Sequence, residues 1–103
     1  MAAHKQPLIW SPEAEPDLAD IWNHYREIAG PQVAESRVRA ISKACMMLEE
    51  HPLAGRARDE IRPGLRSVLV SPHVIFYRVR GDIAQIIRIL DGRRDVEDIF
   101  ADG

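Results

Sequence analysis

The stretch LRSVLVSPHVIFYRVRGDIAQIIRIL, residues 65–90, decides the fold. Its apolar residues alternate with polar ones, and this two-residue period is typical of β-strands. Turn residues interrupt the alternation at Ser71-Pro72-His73 and at Arg80-Gly81-Asp82, which predicts a meander of three antiparallel strands. The predicted strands are residues 65–70, 74–79 and 83–90. The last one is apolar on nearly both faces, as expected of a strand with neighbours on both sides.

Upstream of the meander, the pattern changes to that of helices. Residues 8–10, LIW, are a short apolar run that predicts a first strand. Ser11-Pro12 has the form of a helix N-cap followed by proline at the first helical position. Apolar residues then recur every three or four positions as far as residue 29. Pro16 lacks the backbone donor that a helix interior needs, so the first helix is expected to begin either near Pro12 or at Pro16.

A second amphipathic helix is predicted after Gly30-Pro31, and His51-Pro52 ends it. The apolar residues that repeat at steps of four and three are Ala34, Val38, Ile41, Cys45 and Leu48. Two such helices joined by a short turn form a hairpin, and each has an apolar stripe that must be covered. Residues 53–64, LAGRARDEIRPG, have no regular period and are expected to form a loop.

The element order is therefore β-α-α-β-β-β. It predicts an α+β domain in which the helical hairpin packs on one face of a small antiparallel sheet. We expect a single domain over residues 1–95, followed by an acidic C-terminal tail at 96–103 that contains Ile99 and Phe100. The tail is expected either to fold over the sheet or to dock on the helices.

Charge is distributed unevenly along the chain. Residues 1–51 carry five Lys/Arg and eight Asp/Glu, whereas residues 56–94 carry nine Arg and four Asp/Glu. Twelve of the fourteen basic residues are Arg, whose planar guanidinium can bind carboxylate or phosphate in a forked geometry. This pattern indicates either a surface that binds an anionic partner or a solvated sheet face with many salt bridges.

Several functional classes are not supported by the sequence. No apolar run is long enough to span a membrane, and the first residues lack the apolar stretch of a secretory signal. The single cysteine, Cys45, cannot form an internal disulfide, so the reducing cytoplasm is the expected location. The histidines show no convergent metal-ligand spacing, since Glu50-His51 is the only close pair, and no metal or cofactor is expected.

Segments along most of the chain together resemble the RelE/ParE toxin superfamily, and its ParE-like branch more closely than its RelE branch. The matching segments are WSPEAE (10–15), DLADI (17–21), LEEHP (48–52), GR (55–56), GLRS (64–67), HVIFYR (73–78), RIL (88–90) and RRD (93–95). Each segment alone is a weak signal, but their order and spacing together are fairly specific. The resemblance implies the toxin of a type II toxin–antitoxin system, of the kind associated with plasmid stabilisation.

The ParE-like resemblance implies action by binding, without catalytic residues. Toxins of this branch bind DNA gyrase and hold its cleaved-DNA state, which is selective affinity for one state of a target. Arginines on the strands would supply charge-assisted hydrogen bonds to acidic protein surface or to DNA. By charge and family resemblance, the candidate target-binding residues are Arg56, Arg58, Arg66, His73, Arg78, Arg88, Arg93 and Arg94.

The same resemblance implies a ParD-like antitoxin as partner in a hetero-oligomer. Such an antitoxin dimerises and binds operator DNA through a ribbon-helix-helix domain, so contact of the toxin with operator DNA would be indirect. Its flexible acidic segment would lie in the groove of the helical hairpin or add to a free edge of the sheet. The residues expected to line or underlie this groove are Leu18, Ile21, Trp22, Tyr25, Ile41, Cys45 and Leu48.

Two alternative functions remain open at this point. A ribosome-dependent mRNA endoribonuclease of the RelE type would need an acid and a base beside its cations. Asp91 stands near the end of the last strand, where relatives place histidine or tyrosine, and is expected to pair with Arg93 or Arg88 or to cap the turn. His73 is the best remaining titratable candidate, although its position after Ser71-Pro72 favours a turn or surface residue. The other alternative is a degenerate module that only binds the antitoxin.

Overall fold

The computed structural model of the chain describes residues 8–94 and 96–101. Within these residues the elements are β1 (Ile9–Trp10), α1 (Ala14–Ala29), α2 (Pro31–Glu50), β2 (Arg56–Ala57), β3 (Arg66–Val70), β4 (His73–Arg80), β5 (Ile83–Asp91) and α3 (Val96–Ala101). The predicted β-α-α-β-β-β order is confirmed, with two short additions. The strand β2 lies in the segment predicted to be a loop, and α3 lies in the predicted acidic tail. His4, Asp95 and the last two residues of that tail lie outside the described part of the chain.

The strands form one sheet in the order β1-β5-β4-β3-β2. The predicted meander of β3, β4 and β5 is antiparallel, as expected from its turns. However, β1 pairs in parallel with β5 through Ile9 and Trp10, so the sheet is mixed rather than wholly antiparallel. The apolar run at residues 8–10 predicts a strand but contains nothing that specifies its partner, because that partner is about 75 residues away.

A β-bulge in β5 changes which face its side chains occupy. Phe76 pairs with Arg88 and Tyr77 pairs with Ile86, so Ile87 is one residue extra. Before the bulge, Ile86 faces the helices, and simple alternation would place Arg88 on that same face. The extra residue instead places Ile89 in the core and leaves Arg88 across from Phe76 on the opposite face.

The helical hairpin covers one face of the sheet, as predicted. Helix α1 begins at Ala14, so Pro16 lies in its first turn, where a missing N–H removes no helical hydrogen bond. Gly30 ends α1 and begins α2 with a φ of 94°, a left-handed conformation that favours glycine. The buried core between hairpin and sheet consists of Ala14, Ile21, Ile41, Cys45, Leu48, Ile75, Tyr77, Ala84, Ile86 and Ile89.

The C-terminal helix α3 covers part of the other face. Phe100 packs edge-to-face on Phe76 with ring centroids 5.2 Å apart, and both lie in a second buried cluster with Leu65 and Leu90. The segment expected as an acidic tail therefore contributes an apolar side chain to the sheet. Of the two arrangements considered for it, the one in which it folds over the sheet is observed.

The hydroxyl of Tyr77 ties the sheet to the segment after α2. Tyr77 is fully buried; its hydroxyl donates to the Pro52 carbonyl (2.7 Å) and accepts from the Gly55 N–H (2.8 Å). A Cβ at position 55 would lie 2.5 Å from the Tyr77 oxygen, so only glycine fits this approach. The ring of Tyr77 thus fills the core while its oxygen fixes the loop that leads to β2.

Replacement of Tyr77 by Phe tests this role. Loss of the hydroxyl leaves one buried donor and one acceptor without a partner, so Tyr77→Phe should lower the free energy of unfolding by about 1–3 kcal/mol. Urea denaturation measures the change. The matched control is Tyr25→Phe on the partly exposed side of α1, which should change it by less than about 0.5 kcal/mol. Equal effects of the two substitutions would contradict the assignment.

Candidate functional site

The face of the sheet opposite the helical hairpin contains a cleft of about 360 Å³. It lies where β4 and β5 meet α3, the segment before α1 and the segment between β2 and β3. The residues that line it are Ser11, Pro12, Glu13, Arg62, Arg78, Gln85, Ile87, Arg88, Ile99 and Phe100. Three arginines therefore converge on one depression, and we call it the arginine cleft.

Two of these arginines are held by neutral groups. The Nε of Arg78 donates to the side-chain oxygen of Gln85 on the neighbouring strand (2.8 Å). One terminal nitrogen of Arg62 donates to the Phe100 carbonyl (2.7 Å), and the guanidinium lies 5.1 Å from the centre of the Phe100 ring. Among the side chains that the structure describes, no carboxylate is hydrogen-bonded to either guanidinium.

The third arginine, Arg88, is bound to a carboxylate. Its Nε and one terminal nitrogen donate to the two oxygens of Asp17 at 2.7 and 2.9 Å. Asp17 also accepts from the backbone N–H of Ile89 (2.9 Å). The hydrogen bonds to Asp17 raise the pKa of the Arg88 guanidinium. This pair joins the first turn of α1 to β5, so Arg88 is a structural contact as well as a cleft residue.

Three other predicted residues lie together near β2 and β3. Arg58 donates to Glu60 (2.7 Å) and to the Ser67 hydroxyl (3.2 Å), and its guanidinium lies 5.9 Å from the Phe76 ring centre. Arg66 donates to the Gly55 carbonyl at 2.6 Å. Arg56 is exposed on β2. Arg58 and Arg66 fix the approach of the loop to the sheet, and the described lining of the arginine cleft does not include any of these three arginines.

The remaining predicted residues lie at the junction of β4 and β5, on the side of the helices. His73 and Arg94 line a second cleft of about 290 Å³ together with His24, Asp20 and Asp91. His73 is the first residue of β4 and is only 7% exposed, so the expectation of a turn or surface residue was wrong. Its ring contacts Tyr25 edge-on, because the β3–β4 turn brings it under α1.

The titratable groups at this junction are held by their neighbours. Burial lowers the pKa of His73. Asp91 accepts from the guanidinium of Arg93 (2.7 and 3.0 Å) and from its backbone N–H (2.9 Å), which confirms the expected pairing. These hydrogen bonds hold the pKa of Asp91 well below its usual range and raise that of Arg93. A carboxylate that is ionised and accepts three hydrogen bonds is a poor general acid.

The structure thus divides the candidate target-binding residues into three groups. Arg78 and Arg88 meet in the arginine cleft, joined by Arg62 and Glu13, which the sequence reasoning did not select. Arg62 lies in a segment without periodicity and offered only its charge as a signal. Glu13 precedes the first helix and resembles any acidic residue at a helix start.

The hairpin residues predicted to receive a partner differ in their exposure. Leu18, Trp22 and Tyr25 on α1 are partly exposed, whereas Ile21 is 9% exposed. Ile41, Cys45 and Leu48 on α2 lie in the core, 0–1% exposed, and underlie the hairpin without reaching its surface. Burial raises the pKa of the Cys45 thiol to about 12, so it carries no reactive thiolate at neutral pH.

The two edges of the sheet differ in how many of their backbone groups have hydrogen-bond partners. At one edge, Ser11 donates its backbone N–H to the Ile86 carbonyl and its hydroxyl to the Ile87 carbonyl, and Asp17 accepts from Ile89. At the other edge, β2 pairs with only the first two residues of β3. Residues 68–70 therefore form an open strand edge within the described chain, and Leu69 there is 69% exposed. An open edge with an exposed apolar residue is where a further strand can add.

The described residues were searched for a metal centre and for a membrane span. Among the described residues, no three His, Cys, Asp or Glu side chains cluster as metal ligands. In the same part of the chain, no helix combines the length and apolar character needed to cross a bilayer.

Comparison with known proteins identifies a common family. Residues 8–96 match the family model for the ParE toxin of the type II toxin–antitoxin system, parDE. Toxin ParE1 of Mycobacterium tuberculosis is 38% identical over 90 residues, which cover 86% of this chain and 92% of that protein. Toxin ParE3 of Caulobacter vibrioides is 36% identical over 80 residues, covering 78% and 80%. A solved structure titled as the chromosomal ParDE TA system from P. aeruginosa superposes with a TM-score of 0.74 at 32% identity and covers 86% of this chain and 98% of that chain.

The Arg88–Asp17 pair predicts a stability difference between two arginines. Arg88→Ala leaves Asp17, whose side chain is 12% exposed, without its charged donor, and should lower the free energy of unfolding by about 1.5–3 kcal/mol. Arg93→Ala breaks a pair in which the arginine is 83% exposed and should leave the urea midpoint nearly unchanged. Midpoints that fall equally in both variants would refute a structural role specific to Arg88.

The burial of His73 predicts a pH dependence of stability. Because its pKa is lowered in the folded protein, the unfolded chain binds the proton more readily. The stabilising contribution is therefore complete above the unfolded pKa of about 6.5 and is lost as pH falls below it. Urea denaturation between about pH 7.5 and 5.5 should show this loss in the wild type and a weaker pH dependence in His73→Gln.

The groups facing His73 must be considered in this measurement. They are Tyr25 and His24 from α1, Arg37 from α2, and Asp91 and Arg93 at the end of β5. A control substitution of the exposed His51 by Gln should keep the wild-type pH dependence. If His73→Gln keeps it as well, the burial of His73 has no measurable consequence.

Proposed function

Because the chain belongs to the ParE toxin family of type II toxin–antitoxin systems, we propose that it arrests growth by binding DNA gyrase and is neutralised by a ParD-like antitoxin. The single observation that carries this proposal is the arginine cleft, in which cations are held in place on a sheet face that the hairpin leaves open. Such a surface suits an anionic macromolecule in one conformational state, which it would stabilise by selective affinity. The cytoplasm, where gyrase acts, is the proposed location.

Action by binding without catalysis is supported by the surroundings of the cleft. Cleavage of RNA requires a base for the 2′-hydroxyl and an acid for the leaving oxygen. Among the described residues that line the cleft, Glu13 is the one carboxylate beside three arginines, and there is no histidine or tyrosine to act as a second catalytic group. His73 faces α1 on the other side of the sheet, and Asp91 is bonded to Arg93. The three arginines of the arginine cleft and His73 therefore lie on opposite faces of the sheet.

This chain offers two surfaces that suit binding of a ParD-like antitoxin. Leu18, Trp22 and Tyr25 form a partly exposed stripe on α1 that can receive an amphipathic helix. The open edge of β3 at residues 68–70, with Leu69 exposed, can receive an extended segment. The similarity to the solved ParDE system supports a partner of this kind. Neither surface overlaps the lining of the arginine cleft.

Growth and gyrase assays test the proposal together. Induced expression of the chain alone should arrest growth, and co-expression of its antitoxin should restore it. The purified toxin should inhibit supercoiling by gyrase and increase the yield of linear, cleaved DNA. Trp22→Ala should weaken the rescue by the antitoxin while arrest persists, because Trp22 is on the hairpin and not in the cleft.

Two results would decide against this function. Mapped cuts in translated messages, with gyrase unaffected, would assign the chain to the RNA-cleaving branch. Normal growth on expression, with antitoxin binding retained, would assign it to a module that only binds the antitoxin. The matched control for Trp22→Ala is Ile28→Ala, which truncates an exposed apolar residue near the other end of α1 and should leave rescue unchanged.

A further inference from the structure

We propose that the arginine cleft binds one phosphodiester group of a nucleic-acid strand, with Arg78 and Arg62 as the charged contacts. The proposal rests on the proposed function, in which the toxin acts on an assembly of protein and DNA, and it assigns DNA rather than protein to this surface. Its basis is the number of donors in the cleft, the net charge of the cleft and its size.

The donors in the cleft point to an oxygen-rich anion. Within the described part of the chain, Arg78 donates through its Nε to Gln85, and Arg62 donates through one terminal nitrogen to the Phe100 carbonyl. Each guanidinium has five N–H donors, so most of them are left over for a ligand. The amide oxygen of Gln85 accepts from Arg78, which leaves the amide NH₂ of Gln85 as a further donor. Fixed guanidinium and amide donors are the groups that bind phosphate oxygens in protein–DNA contacts.

The net charge of the cleft matches a single negative charge. Arg62 and Arg78 each contribute one positive charge, and Asp17 neutralises Arg88. Glu13 also lines the cleft and subtracts one positive charge. Over the described lining residues and Asp17 the sum is close to +1, which complements a phosphodiester with its single charge. A phosphomonoester carries nearly two negative charges at neutral pH and would be opposed by Glu13.

The size of the cleft argues for a short unit of a chain. At about 360 Å³ it is at the lower end of the range for small-molecule sites. One phosphate with its neighbouring sugar can occupy such a space. Ile87, Ile99 and Phe100 form its apolar part, against which a sugar can pack.

Measurement of binding to a nucleic acid tests the proposal directly. The probe is a short fluorescent oligothymidylate, and binding to the purified full-length toxin is followed by anisotropy at low ionic strength. Arg78→Gln should weaken binding about tenfold and lower the salt dependence by roughly one phosphate contact. Arg39→Gln removes the same charge from an exposed site on α2 and should leave binding within about twofold.

A substitution that is expected to strengthen binding tests whether weaker binding in the other variants could result from loss of folding. Glu13→Gln removes the negative charge of the cleft and should tighten binding severalfold. The Glu13 side chain makes no capping hydrogen bond to α1, so its replacement leaves the helix start intact. A gain of affinity cannot result from unfolding. Equal losses in the variants of Arg78 and Arg39, or no tightening in the variant of Glu13, would overturn the proposal.

Competition separates the ligand classes. Polyglutamate or inorganic phosphate should displace the oligonucleotide poorly, and efficient displacement by polyglutamate would show that an acidic protein segment binds here instead. Absence of oligonucleotide binding by a toxin that still arrests growth would refute only the cleft assignment. Binding that depends on Arg78 in a chain without toxicity would refute the gyrase proposal and leave the cleft assignment standing.

Discussion

The arrangement of this domain depends on the hydrogen bonds that the carboxylate of Asp17 accepts from β5. The carboxylate accepts two hydrogen bonds from Arg88 and one from the backbone of Ile89 across 71–72 residues of sequence. These contacts anchor α1 to β5 and satisfy a donor on the edge of β5, beyond the end of β1. The same contacts neutralise Arg88 and fix its position. The charge of the cleft is therefore set by a residue that does not line it.

The β-bulge in β5 is what makes this contact possible. If Ile87 were a regular strand position and not a bulge, strict alternation would direct Arg88 into the apolar core with Ala84 and Ile86. A buried guanidinium there would lack water and a partner, at a high cost in free energy. The bulge exchanges Arg88 for Ile89, so one irregularity completes the core and supplies a cation to the opposite face.

The two faces of the sheet offer surfaces for two different partners. The hairpin face carries a partly exposed apolar stripe and lies next to the open edge of β3, whereas the other face carries the arginine cleft beside α3. In the function that we propose, an antitoxin and a target would contact different parts of the toxin. The antitoxin would then neutralise the toxin by steric exclusion of the target or by a change in the conformation of the toxin, because the antitoxin and the target would not compete for the same side chains.

The sequence by itself determined the element order, the α+β class and the family resemblance, because strand and helix periods are local properties of neighbouring residues. It also indicated that Asp91 pairs locally, since Arg93 is two residues away. It did not reveal the parallel pairing of β1 with β5, the bulge at Ile87 or the fold of α3 onto Phe76. It grouped seven arginines by charge, although in the described part of the chain only Arg78 and Arg88 of those seven line the arginine cleft. Those features depend on contacts between residues far apart in the chain, and only tertiary structure decides which distant side chains share a face.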